Sequence, residues 1–452
     1  VREALCQRQT SEKEYDMINL ELIPLKPALL QGFDNETQVL FRASAEAEPN
    51  LSDSRKPLNI AIAIDRSGSM SGPPLAEAKK CAIAMIERMS PTDRVAIIAY
   101  DSEAQVVVPA TDVTDRIAIQ NRIRAITEGG TTALHDGWLL AAEEVARKQS
   151  KDGINRVLLL SDGNANVGLT DVPTIVKQSA KMAEAGITTS TYGLGHHFNE
   201  ELMVAMAKAG LGQSYYGESA EDLSDSFGEE FDLMLNTLAT RLVVTANAAE
   251  GVEIDLLNDL HPRGKGWALP DLAEGGDVWA LFRVAVPART TNAETGILNC
   301  ALDYIDKDGV STSTAPVVLS LPAINEAAYA AIKSNKTVAA RVKELEISDL
   351  QEAARNHAER GDWDKVDKVI AQARELAEDN PWLVANVTAL ERYAHRRERA
   401  RFSKEAMYSS SRLNARLVER AEVAELYEPS LEESKPAYLR RKSERGKRLK
   451  SD

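Results

Sequence analysis

Cysteine is scarce in this sequence: Cys6, Cys81 and Cys300 are three in number and far apart. Such spacing suits neither a disulfide framework nor a zinc cluster. Cys81 falls on an apolar helical pattern and reads as a small buried hydrophobe, and so low a count favours a reducing compartment. Long apolar runs are missing as well, so no stretch is expected to cross a bilayer. No signal peptide is recognisable, and the expected location is cytoplasmic, with Val1 in place of methionine leaving room for a removed upstream segment. Positive charge is in deficit, 54 Lys and Arg against 69 Asp and Glu for a net −15, which disfavours nucleic acid as a general partner.

Familiar catalytic signatures are also absent. There is no G-x-x-x-x-G-K-[ST] phosphate loop, so nucleotide hydrolysis is not expected. No G-x-S-x-G elbow surrounds Ser69 or Ser161, which argues against a serine nucleophile. A phosphoryl-accepting aspartate of the haloacid dehalogenase type wants a second aspartate two positions after Asp65, where Ser67 stands.

What is present is enough for two or three domains: 452 residues, 44% of them hydrophobic and 27% charged. Residues 1–14 are polar and expected to be disordered. Over 15–56, INLELIPL and QVLFRASAEA read as strands too few to fold alone, followed by a polar linker from Glu48 to Lys56. From 57 to 240 strands and helices alternate, with Val95–Tyr100 and Gln105–Val108 close enough to form a hairpin. This predicts a doubly wound, mostly parallel, Rossmann-like α/β sheet. From 241 to 322 short strands return (LVVTANA, VEIDLL, VWALFRVAV, GILNCALDYI, PVVLSL), so the α/β unit is expected to be inserted in a β-sandwich completed by the N-terminal strands. A helical hairpin or stalk is expected over 323–406, with a Gly361-Asp362 turn and Pro381 opening a helix, and a polar basic tail over 407–452.

The apolar run Ile60–Ile64 ends in Asp65-Arg66-Ser67-Gly68-Ser69, a D-x-S-x-S pattern at the expected carboxyl end of a central strand. Gly129-Gly130-Thr131-Thr132 precedes a helix, and Ser161-Asp162-Gly163 closes the apolar run Val157–Leu160. The two carboxylates and three hydroxyls form an all-oxygen set, suited to magnesium or manganese and poor for zinc. Two other features are read as bland: Trp138 as core, and the adjacent His196 and His197 as loop or rim residues.

These three motifs, in this order, resemble the von Willebrand factor A domain and its metal-ion-dependent adhesion site, over about residues 58 to 240. The resemblance implies that Ser67, Ser69 and Thr131 present hydroxyl oxygens to a divalent cation (Mg2+, or Mn2+ or Ca2+), with Asp65 and Asp162 held near it directly or through water. Arg66, Gly130, Thr132, Gly163, His196 and His197 would form the partner-binding rim. The arrangement of α/β unit, β-domain and helical tail is similar to bacterial multidomain members of the family. The implied function is non-enzymatic, cation-dependent protein binding, in which the metal takes an Asp or Glu carboxylate from a partner. Alternatives are an adaptor subunit of an ATPase or chelatase-type complex, and a metal-dependent hydrolase.

Overall fold

A computed structural model of the chain describes residues 18–45, 55–162, 165–194, 199–217, 222–290, 295–377 and 380–415. Three strands come first: β1 (Ile18–Pro24), β2 (Leu29–Leu30) and β3 (Asn35–Ala45). The α/β unit follows with β4 (Leu58–Asp65), α1 (Pro73–Arg88), β5 (Arg94–Tyr100), β6 (Ala104–Asp112), α2 (Arg116–Arg124) and α3 (Leu134–Arg147). It continues with β7 (Ile154–Ser161), α4 (Val172–Glu184), β8 (Thr188–Leu194), α5 (Glu200–Ala209), β9 (Leu211–Gly217) and α6 (Asp222–Leu235).

Its six strands lie in the order β6-β5-β4-β7-β8-β9. All are parallel except β6, which forms the expected antiparallel hairpin with β5. Because β4 is buried on both faces, its side chains divide between two cores. Leu58, Ile60, Ile62 and Ile64 pack with α1, α2 and α6, whereas the small Ala61 and Ala63 admit Trp138 of α3 and Met206 of α5. From β4 the chain moves to β5 and β6 on one side, then returns to β7 on the other. That reversal opens the crevice beyond the carboxyl ends of β4 and β7, where open α/β sheets place ligands.

The next elements are β10 (Thr237–Ala248), β11 (Glu253–Leu256), β12 (His261–Arg263), β13 (Gly266–Ala268), β14 (Leu272–Ala273) and β15 (Asp277–Val286). After them come β16 (Thr295–Ile305), β17 (Ser311–Ser313), β18 (Val317–Leu321) and β19 (Ala323–Ile324). β3 pairs with β15 from Asn35↔Val286 to Ser44↔Asp277, giving a sheet β1-β3-β15-β11 with strands from both sides of the α/β unit. A second sheet is built on β10 and β16. Phe41 and Phe282 of the first share a core with Val244 and Leu302 of the second.

Several expected boundaries move. The α/β unit ends with α6 at Leu235 and not at 240, because the strand that begins at Thr237 pairs first with β14 and from Thr240 with β16. Arg55 and Lys56 are no linker: Arg55 holds Asp93 at 2.5 Å, and Lys56 is buried with its Nζ 3.4 Å from Thr240 Oγ1.

The helices are α7 (Glu326–Ala331), α8 (Lys336–Glu359), α9 (Trp363–Leu376), α10 (Pro381–His395) and α11 (Arg399–Ala415). Gly361, at φ 75°, makes the expected turn between α8 and α9. No stalk results: α8 to α11 enclose their own core, with Ile347, Val366, Leu390 and Phe402, while Val338 and Leu345 of α8 enter the β core. The tail does not begin at 407, since Tyr408 and Leu413 are buried on α11. The sequence hid the later half of this helix because its inward stripe, Phe402, Ala406, Ser409 and Leu413, is short of large apolar residues. The expected N-terminal segment and residues 416–452 lie outside the described residues.

Candidate metal centre

Asp65 ends β4 and is fully buried. Its Oδ1 accepts the Ser67 N–H at 2.8 Å, which turns the chain back over the strand end, and its Oδ2 accepts the Ser161 hydroxyl at 2.7 Å. The serine loop then rises to the surface. Ser67 Oγ and Ser69 Oγ lie 3.2 Å apart, and Ser69 Oγ donates to Asp162 Oδ1 at 2.8 Å. Ser67 is buried, Asp162 half-buried and Ser69 exposed. Four of the five expected ligands are therefore joined into one oxygen-lined chain that reaches solvent.

The fifth, Thr131, sits on the neighbouring loop. Gly68 N–H donates to Gly130 O at 2.9 Å and Gly129 N–H donates to Arg66 O at 2.7 Å, so the two loops are laced together. The Thr131 hydroxyl itself lies 2.9 Å from Ser102 Oγ. Asp101 and Ser102, which follow β5 directly, were not singled out in the sequence, yet they hold this loop. Asp101 Oδ2 accepts the Gly130 N–H at 3.3 Å and is 3.0 Å from the Arg66 guanidinium. The signal was present: Asp101 follows the apolar run of β5 as Asp65 closes that of β4.

The two aspartates differ in electrostatics. Burial pushes the Asp65 carboxyl up to about 6, against hydrogen bonds from Ser161 and Ser67, and Asp162 adds to the rise. For Asp101, desolvation acts upward, but the N–H groups of Glu103 and Gly130 and the Arg66 charge outweigh it and hold the carboxyl below its usual range. A cation above Asp65 would favour its ionised form. Among the described residues no three His, Cys, Asp or Glu side chains gather as a metal cluster, so a cation here would rely on hydroxyls as much as carboxylates. That donor set fits a hard divalent ion that keeps part of its water.

Of the expected rim, Arg66 and Gly130 lie beside the serine loop, Arg66 in its ion pair with Asp101. Thr132 does not: it is buried, and its N–H donates to Asn166 Oδ1 at 2.9 Å. Gly163, His196 and His197 lie outside the described residues. Trp138 is core, its Nε1–H donating to Thr189 Oγ1 at 3.0 Å.

Residues 59–229 match the family model of the von Willebrand factor type A domain. The chain carries a von Willebrand factor type A domain. An uncharacterized protein of Synechocystis sp. is 31% identical over 202 residues, covering 45% of this chain and 47% of that protein. The uncharacterized protein YfbK of Escherichia coli is 30% identical over 207 residues, 45% of this chain and 36% of YfbK. Inter alpha-trypsin inhibitor, heavy chain 4, of Mus musculus is 29% identical over 195 residues, 40% of this chain and 20% of its own length. The chain thus spans less than half the length of these curated relatives. The fold extends beyond the A domain in two solved structures. A von Willebrand factor type A protein from Catenulispora acidiphila has a TM-score of 0.69 at 17% identity, over 84% of this chain and 91% of that one. The ArnB paralog VWA2 from Sulfolobus acidocaldarius has a TM-score of 0.61 at 17% identity, over 88% and 98%.

Proposed function

We propose that this chain is a non-enzymatic, divalent-cation-dependent protein-binding module. A magnesium or manganese ion would be held by Asp65, Ser67, Ser69, Thr131 and Asp162, and an Asp or Glu carboxylate of a partner protein would complete it. The supporting observation is the hydrogen-bonded chain Asp65–Ser67–Ser69–Asp162, buried at one end and open to solvent at the other. A cation so placed keeps positive charge uncompensated, which draws a hard anionic ligand. The Thr131 hydroxyl, which here meets Ser102, is the fifth oxygen of the set, on a loop that Gly130 ties to the serine loop. A domains are typically protein-interaction modules, and among the described residues no helix is long and apolar enough to cross a membrane. In this reading the A domain is carried as an insertion in a β-sandwich, whose first strands are β1 and β3 and whose remainder follows β10. An affinity pulldown from a lysate, with and without chelator, tests the proposal. Partners retained by wild type in magnesium should be released by chelator and missed by the Ser67→Ala/Ser69→Ala variant; retention unaffected by both would contradict it.

A further inference from the structure

A cavity of about 310 Å³ opens where the A domain, the β-structure and the helical region meet, away from the serine loop. Its lining includes the half-buried apolar residues Val204 and Leu211 of the A domain, Leu260 and Pro270 of the β-structure, and Met407 of α11. Residues 211–214, along one wall, belong to β9, the edge strand of the A-domain sheet. Proteins commonly cover such an edge with a helix or loop, and half-buried apolar side chains gain from the same cover.

The chain itself arrives at the mouth of this cavity. Met407, Ser410, Ser411 and Asn414 of α11 line it, spaced i, i+3, i+4 and i+7 as one face of a helix requires. Asn414 fixes the end of that face, its Oδ1 accepting the Asp259 N–H at 3.2 Å and its Nδ2 donating to Ser348 Oγ at 2.6 Å. The described residues stop one position later, at Ala415, and the sequence runs on from Arg416. The same spacing carried past Asn414 reaches Leu417, Val418 and Ala421, apolar where the preceding turn has serines. A segment attached at the mouth meets the cavity at a roughly millimolar effective concentration, above that of a free partner.

We propose that residues 416–427 of this chain cover the cavity, with Leu417, Val418 and Ala421 laid over Leu211 and Leu260. A few apolar side chains suit a volume at the lower end of small-ligand sites. The segment thereby ties the helical region to the A domain and to the β-structure at once.

Hydrogen–deuterium exchange of the full chain tests this, comparing wild type with Leu417→Asp/Val418→Asp and with a control farther along, Tyr438→Asp/Leu439→Asp. Amides of residues 211–214 and 257–261 should exchange at least about tenfold faster in the first variant, with those of β4 and β7 unchanged and the control matching wild type. Should Leu417→Asp/Val418→Asp fail to fold by circular dichroism, the milder Leu417→Ser/Val418→Ser decides. Wild-type exchange rates in the folded variant would overturn the proposal, as would an equal loss of protection in the control. Protection that grows as wild type is concentrated from about 1 to about 100 μM would overturn it too, since a second copy would then be the cover.

Discussion

Gly129 and Gly130 are set by the residues they face. A Cβ on Gly129 would stand 1.7 Å from Asp101 Oδ2, and one on Gly130 would stand 2.4 Å from Ser102 Oγ. The Gly-Gly pair was legible in the sequence, but the reason for it was not, since nothing local tells that β5 ends against this loop. Gly129→Ala should therefore cost about 1–3 kcal/mol in urea unfolding, by forcing the loop away from Asp101. A loss within about 0.5 kcal/mol would mean that the loop shifts freely. Asp101→Ala removes the shared partner of Arg66 and Gly130 without touching the proposed ligands. Manganese affinity in that variant should fall several-fold while circular dichroism stays unchanged. Unaltered affinity would show that Asp101 does not position the site.

At the scale of elements, the strand–helix rhythm of the A domain was readable because its apolar runs and helical stripes are long and clean, as in β4 and α1. The end of α11 was not, because its docking depends on buried polar and aromatic groups and not on a stripe of leucines. Tyr408 stacks on Tyr216 of β9 with ring centroids 5.5 Å apart, and Lys404 is buried 3.8 Å from Glu200 of α5. Burial lowers the Lys404 ammonium to about 8, although Glu200 pulls it up. Because the unfolded chain holds this proton more tightly, the penalty for charging Lys404 grows as pH falls from about 10.5 to about 8 and is constant below. Lys404→Met should thus be more stable than wild type at pH 7, by up to about 3 kcal/mol, and the gain should shrink above pH 8. Urea melts at pH 7 and pH 9.5 check this, and an equal difference at both would contradict it.

Across the whole molecule, the parts are joined by buried charge. Arg156 of β7, 2% exposed, pairs with Glu230 of α6 within the A domain and lies 2.6 Å from Asp271 in the β-structure. Tyr215 and Ser190 complete the hydrogen bonding of Glu230, each donating at 2.8 Å. The sequence hinted at this network only through an arginine at the head of an apolar run, and its partners lie too far along the chain to be inferred from spacing. Arg156→Met strands two carboxylates and should destabilise by about 3–5 kcal/mol, with the A domain and β-structure unfolding in separate steps. A single transition at the wild-type midpoint would show the network to be dispensable. The same limit applies to the candidate metal centre, where the motif residues were legible but the lacing of their loops by Asp101 and Ser102 was not. The account rests on a cation held by the serine loop, and calorimetric titration of manganese and magnesium into wild type and Ser67→Ala/Ser69→Ala tests it most directly. Saturable binding in wild type, tightened by an acidic peptide and lost in the variant with the melting curve preserved, is the predicted result. Equal binding by both proteins, or none by wild type even with the peptide present, would contradict it.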